Sequence, residues 1–169
     1  MKQYKYKKLN FLKGMIVMKI AVGCDQNGYA LKLQLMAFLK EKNIEYVDFG
    51  SNEGQTVYYP NVALKVGEEV AKGNFDRGIL VCGTGIGMAI TANKIPGIRA
   101  AVCHDIYSAE RAQKSNNAQI ATFGAEIVGP SLAKYLLNIW LNSEFADGRS
   151  TPKVKLINEI DENFRKELK

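Results

Sequence analysis

Short apolar, β-branched runs alternate with stretches of helical period along this chain. Lys19–Cys24 reads as a strand, Asp25-Gln26-Asn27-Gly28 as a turn, and Tyr29–Lys42 as an amphipathic helix with Leu31, Leu35, Phe38 and Leu39 on one face. Glu45–Phe49 is the second predicted strand, and after the Gly50–Gly54 loop Pro60 opens a helix that runs to about Lys72. Ile79–Cys82 is apolar and bounded by turn residues, the pattern of a buried strand. Met88–Lys94 follows as a helix stopped by Pro96-Gly97. Arg99–Cys103 is the fourth strand, Ile106–Lys114 a helix, and Gln119–Thr122 the fifth strand. Ser131–Leu141 is a helix expected to turn Leu132, Leu136, Ile139 and Trp140 to the core, and Pro152–Leu168 closes the chain.

Alternation of this kind predicts an α/β fold: a five-stranded, parallel, doubly wound sheet in three Rossmann-like layers, with helices on both faces. The length fits one domain, residues 18–169, and 47% hydrophobic with 24% charged residues is ordinary for a globular protein. The net charge of +6 is localised, because residues 1–17 carry Lys2, Lys5, Lys7, Lys8 and Lys13 and no acid, which leaves +1 for the rest. That segment reads as a basic extension, with Met18 an alternative start. A near-neutral domain gives no support for a nucleic-acid partner. No apolar run reaches the ~20 residues that span a bilayer, and Lys13 and Lys19 interrupt the only run that resembles a signal peptide.

Candidate chemistry gathers in Val81-Cys82-Gly83-Thr84-Gly85-Ile86-Gly87, where a strand ends in a thiol and glycine then falls at every second position. Amides between a strand and a helix point toward an anion. The spacing is neither that of the dinucleotide fingerprint nor that of the P-loop, so no nucleotide cofactor is indicated. Cys82 there is placed either to act as a thiolate base or nucleophile, or simply to end a strand as a small buried residue. Ligands of open α/β sheets lie beyond the carboxyl ends of the strands, which adds Asp25, Gln26, His104 and Asp105. Cys24, Cys82 and Cys103 form no C-x-x-C pair, and the chain holds one histidine, so the cysteines point to a reducing, cytoplasmic compartment and no metal site is expected.

Residues 18 to about 154 resemble the family of ribose 5-phosphate isomerase B and the galactose 6-phosphate isomerase subunits. The resemblance rests on Gly23-Cys24-Asp25, Tyr59-Pro60, Cys82–Gly87, Ala92–Ala100, Tyr107-Ser108-Ala109, Asn116-Asn117-Ala118, Phe123-Gly124, Ile127-Val128-Gly129 and Gly148-Arg149, in this order. It implies metal-free, cofactor-free aldose–ketose isomerisation of a sugar phosphate through a cis-enediolate. Cys82 would be the base between C2 and C1, Thr84 would move the proton between the oxygens, and the Gly83, Gly85, Ile86 and Gly87 amides would face the developing oxyanion. Asp25, Gln26, Tyr59 and Asn116 would bind the sugar, and Arg149 and Lys153 the phosphate. The resemblance also implies a homodimer or a dimer of dimers, with the site at the interface and the C-terminal helix exchanged.

Departures from the family pattern cluster in the site. Gln26, Ser115 and Ser150 stand where the family has histidine, Glu126 where it commonly has arginine, and Lys153 where arginine is usual. The imidazole at position 115 would open a furanose ring, which serine cannot do at neutral pH. His104 lies on the ligand side, either as a replacement or as a plain loop histidine. Three functions remain open: an isomerase of a non-standard substrate such as a tetrose phosphate, one subunit of a hetero-oligomeric isomerase with a paralogue, and a binding module without turnover.

Overall fold

A computed structural model describes residues 18–167; the basic extension at residues 1–17 lies outside them. The elements are β1 (Lys19–Cys24), α1 (Tyr29–Glu41), β2 (Glu45–Asp48), α2 (Tyr59–Ala71), β3 (Arg77–Cys82), α3 (Ile86–Ala92), β4 (Ala100–Val102), α4 (Ile106–Lys114), β5 (Ile120–Gly124), α5 (Pro130–Leu141) and α6 (Thr151–Glu167). The five strands are parallel in the order β2-β1-β3-β5-β4, the doubly wound sheet that the alternation predicts.

Strand periodicity divides the core in two. Ile20, Val22, Ile79 and Val81 face one way, against Leu35 and Leu39 of α1 and Leu136, Leu137 and Trp140 of α5. Ala21, Leu80 and Cys82 face the other way, against Val62 and Val66 of α2 and Met88 and Ala92 of α3. No helix among the described residues is long and apolar enough to cross a membrane.

Two expectations are corrected by packing. Leu132 is 42% exposed; α5 instead buries Ala133, Leu136, Leu137, Trp140 and Leu141, an apolar stripe one residue further along. β3 begins two residues earlier than its apolar run, at Arg77. Its guanidinium is buried and donates to the carbonyls of Trp140, Leu141 and Ser143 at 2.7, 3.2 and 2.8 Å, and burial pushes its pKa down to about 10.

Lys32 has a fully buried side chain, on the apolar face of α1 beside Leu31 and Leu35. Its Nζ donates to both carboxylate oxygens of Asp48 at 2.9 and 2.7 Å and to the Ser51 carbonyl at 2.7 Å, tying α1 to the end of β2 and to the loop beyond it. Lys32→Met keeps the apolar stem but takes the charged donor from the buried Ser51 carbonyl and leaves Asp48 with the Gly50 N–H alone. The expected cost is about 2–4 kcal/mol, read as a lower midpoint in urea unfolding; an unchanged midpoint would show the clamp to be energetically neutral.

Candidate active site

The carboxyl ends of β1 and β3 lie side by side, with Cys24 opposite Val81. Asp25 therefore emerges next to the Cys82 loop, and its backbone N–H donates to the Val81 carbonyl at 3.2 Å. Its carboxylate accepts the Gly28 N–H at 3.0 Å, which fixes it at the start of α1. Gly28 must be glycine, because a β-carbon there would sit 2.4 Å from the Val81 oxygen. Burial raises the Asp25 pKa, the amides of Gly28, Asn27 and Asp25 itself oppose the rise, and the nearby charge of Glu126 adds to it.

Cys82 ends β3 nearly buried, at 5% exposure, and its Sγ accepts the Gly85 N–H at 3.1 Å. Gly85 adopts φ +75°, and a β-carbon there would meet the Phe123 carbonyl carbon at 2.9 Å, so the turn that brings its amide back to sulfur requires glycine. Thr84 is exposed beside it and its Oγ1 accepts the Ile86 N–H at 3.4 Å. α3 starts at Ile86, two residues before the predicted Met88. The Tyr59 ring lies over Gly87, whose added β-carbon would be 2.7 Å from Cε2 and Cζ and 3.1 Å from Oη. Gln26 accepts the Val57 N–H at 3.2 Å, joining the wall of the site to the segment before α2.

Glu126, whose direction the sequence leaves open, is exposed and lies against Gly83 of the Cys82 loop. Its N–H donates to the Gly83 carbonyl at 3.0 Å, and a β-carbon on Gly83 would meet its Oε1 at 3.0 Å. Among the described residues its carboxylate makes no hydrogen bond or ion pair, and its charge acts on Asp25, so two carboxylates flank the Cys82 loop. His104 follows β4, and its Nε2 accepts the N–H of Gly124, the residue opposite Cys82 across the β3–β5 ladder.

Asn116, Arg149 and Lys153 are elsewhere. Asn116 follows α4 at the amino edge of the sheet, where its carbonyl accepts from Arg99 at 3.1 Å. Arg149 and Lys153 are exposed at the start of α6, which borders a groove of about 980 Å³ lined by Arg77, Arg99, Gln119, Thr151 and Asn158. A six-residue strand is roughly 17 Å long, so within one chain these groups are separated from Cys82 by the depth of the sheet. Among the described residues no three His, Cys, Asp or Glu side chains converge as a metal site would require.

The Ribose/Galactose Isomerase family model matches residues 20–157. The chain belongs to this family. Within the ribose/galactose isomerase family it is 63% identical to the Ribose-5-P isomerase B of Listeria innocua, over 88% of this chain and all of that protein. It is 46% identical to the D-erythrulose-4-phosphate isomerase of Pectobacterium atrosepticum, over 83% of this chain and 93% of the relative. The solved structure of ribose-5-phosphate isomerase B of Clostridium thermocellum superposes with a TM-score of 0.85 at 45% identity, covering 87% of this chain and 99% of that one. The family expected from the motifs is therefore the family found, and the parallel five-stranded fold agrees with it.

Of the residues expected in the site, Asp25, Gln26, Tyr59, Cys82, Thr84 and the Gly83–Gly87 loop come together. Asn116, Arg149 and Lys153 do not. Sequence reasoning placed Glu126 in the site without its direction and missed the Lys32 clamp. A lysine on the apolar face of a helix, with Asp48 closing the neighbouring strand, is the signal that marks the clamp.

Proposed function

We propose that this ribose/galactose isomerase family member, an aldose–ketose isomerase of a sugar phosphate, acts on a four-carbon, open-chain substrate: erythrose 4-phosphate and erythrulose 4-phosphate, interconverted through a cis-enediolate. The observation that carries the reading is a thiol oriented by the Gly85 amide between Asp25 and Thr84, in a chain whose single imidazole already accepts a backbone N–H. Cys82 takes the proton from C2 of the aldose and returns it to C1, while Thr84 passes the hydroxyl proton between O1 and O2. Loop amides face the oxygen on which charge develops, and Asp25 accepts from a sugar hydroxyl. A tetrose 4-phosphate cannot close a furanose, because its O4 is esterified, so no ring-opening imidazole is needed. Relatives named D-erythrulose-4-phosphate isomerase, at 46% and 43% identity, support this choice.

Two carboxylates flanking the Cys82 loop oppose a phosphate dianion there, so the cations must come from outside the cluster. Arg149 and Lys153 of a second copy supply them, together with Asn116, in a homodimer. Outward-facing Leu156, Ile157, Ile160 and Phe164 on α6 give that copy an apolar face to cover. Three free cysteines fit a reducing compartment, and we place the enzyme in the cytoplasm. The named relatives are isomerases, which favours neither a binding module nor a two-gene assembly. Ribose 5-phosphate is the second reading, because the relative at 63% identity is named for it.

The test is C2 proton exchange by NMR in deuterated buffer, with four-, five- and six-carbon sugar phosphates. Fastest exchange with the four-carbon pair is expected. Ribose 5-phosphate exchanging faster would establish the second reading, and no exchange with any sugar phosphate would refute both.

A further inference from the structure

His104 is the only histidine, and the reaction outlined above does not use it. Its ring extends the sheet. The β4–β5 ladder ends where the Cys103 N–H reaches the Thr122 carbonyl at 2.9 Å, and the next N–H of β5 on that side, that of Gly124, is taken by His104 Nε2 at 3.0 Å. Gly124 is buried, so without an acceptor this N–H would be orphaned.

Gly124 also carries the reaction loop. It pairs with Cys82, and the next N–H, that of Ala125, donates to the Cys82 carbonyl at 2.9 Å. The backbone of Thr84 rests on its α-carbon: a β-carbon there would sit 2.7 Å from the Thr84 carbonyl carbon and 2.8 Å from its Cα. Gly85 in turn leans on Phe123 and on the Gly124 nitrogen. The end of β5 is thus wedged between the imidazole on one side and Cys82, Thr84 and Gly85 on the other.

We propose that His104 is a positioning residue for the isomerisation, which holds the end of β5 through Gly124 and thereby sets Thr84 and the Gly85 amide against Cys82. An acceptor at Nε2 leaves the ring proton on Nδ1, so the working form is the neutral Nδ1–H tautomer. Burial lowers the His104 pKa more than Asp105 raises it, which favours that neutral form. The role accounts for the histidine without a proton-transfer step. It rests on the Cys82 loop being the reaction centre.

With one histidine, the ring nitrogens are assigned without mutagenesis, and their state is read without any substrate. Selective ¹⁵N labelling is expected to give a protonated Nδ1 and an unprotonated, hydrogen-bonded Nε2 at pH 8; an Nε2–H tautomer would overturn the proposal even if no substrate is turned over. In kinetics, His104→Leu is expected to lower kcat by about 10- to 100-fold with KM little changed, whereas His104→Gln, whose amide oxygen replaces Nε2, recovers most of kcat. Wild-type kcat in the leucine variant would overturn the positioning role. Equal losses in both variants would overturn it too, and would make the imidazole itself a proton carrier. If His104→Leu does not fold, the ring spectrum and the glutamine variant still decide.

Discussion

Cys82→Ala is expected to abolish C2 proton exchange, lowering kcat/KM by about 10³-fold or more, the range for loss of a positioned base. The fold should survive, because the side chain already lies at the apolar edge of the α2/α3 core and alanine removes only the sulfur. KM should move little, since in the proposed site the substrate is held by Asp25, the loop amides and the cations. Exchange is the decisive readout because it reports proton abstraction without waiting for product release. Cys82→Ser keeps a hydroxyl that can still accept from Gly85 but is far too weak an acid to serve as the base, so it should be nearly as inactive as alanine. Exchange at the wild-type rate in Cys82→Ala would remove the thiol from the chemistry and return Cys82 to a packing role.

Mixing two inactive proteins should restore activity. A variant with Cys82→Ala retains its cations, and one with Arg149→Ala and Lys153→Ala retains its thiol. If each site combines the thiol of one copy with the cations of the other, a mixed dimer holds one intact site and one doubly damaged site. After co-refolding at equal amounts, half of the dimers are mixed, so roughly a quarter of wild-type activity is expected from an isologous pair. Sites built within one chain would give only the sum of the two residual activities. The separation between Cys82 at the carboxyl end of β3 and Arg149 near the groove at the amino edge makes this a strong test.

Where the local pattern decided the outcome, the sequence was readable. β1 and α4 have the bounds their runs predict, because the apolar run of β1 stops at Asp25 and Asp105 caps α4 by accepting the Ser108 N–H at 2.7 Å. β3 was read short because a buried arginine looks like a turn residue until the carbonyls at the end of α5 are known. Leu132 was misplaced by one position of helical phase. In the site, the Cys82 loop was legible from glycine spacing and the carboxyl-end rule. The direction of Glu126 was not, since it depends on a clip to Gly83 across two strands. Asn116 precedes β5, so topology alone assigns it to the amino edge; only the family resemblance grouped it with Cys82.

Of the described side chains of α6, only Val154 is buried. Asn158 accepts from Arg99 and Asp161 from the Gly97 amide, and Leu156, Ile157, Ile160 and Phe164 face outward. If α6 of a second copy completes the site, as proposed, a helix held so lightly by its own chain makes catalytic competence a function of concentration. On dilution below the dissociation constant of the dimer, the sheet would remain folded while turnover vanished, and the specific activity of a dilute solution would underestimate what the same molecules achieve when crowded.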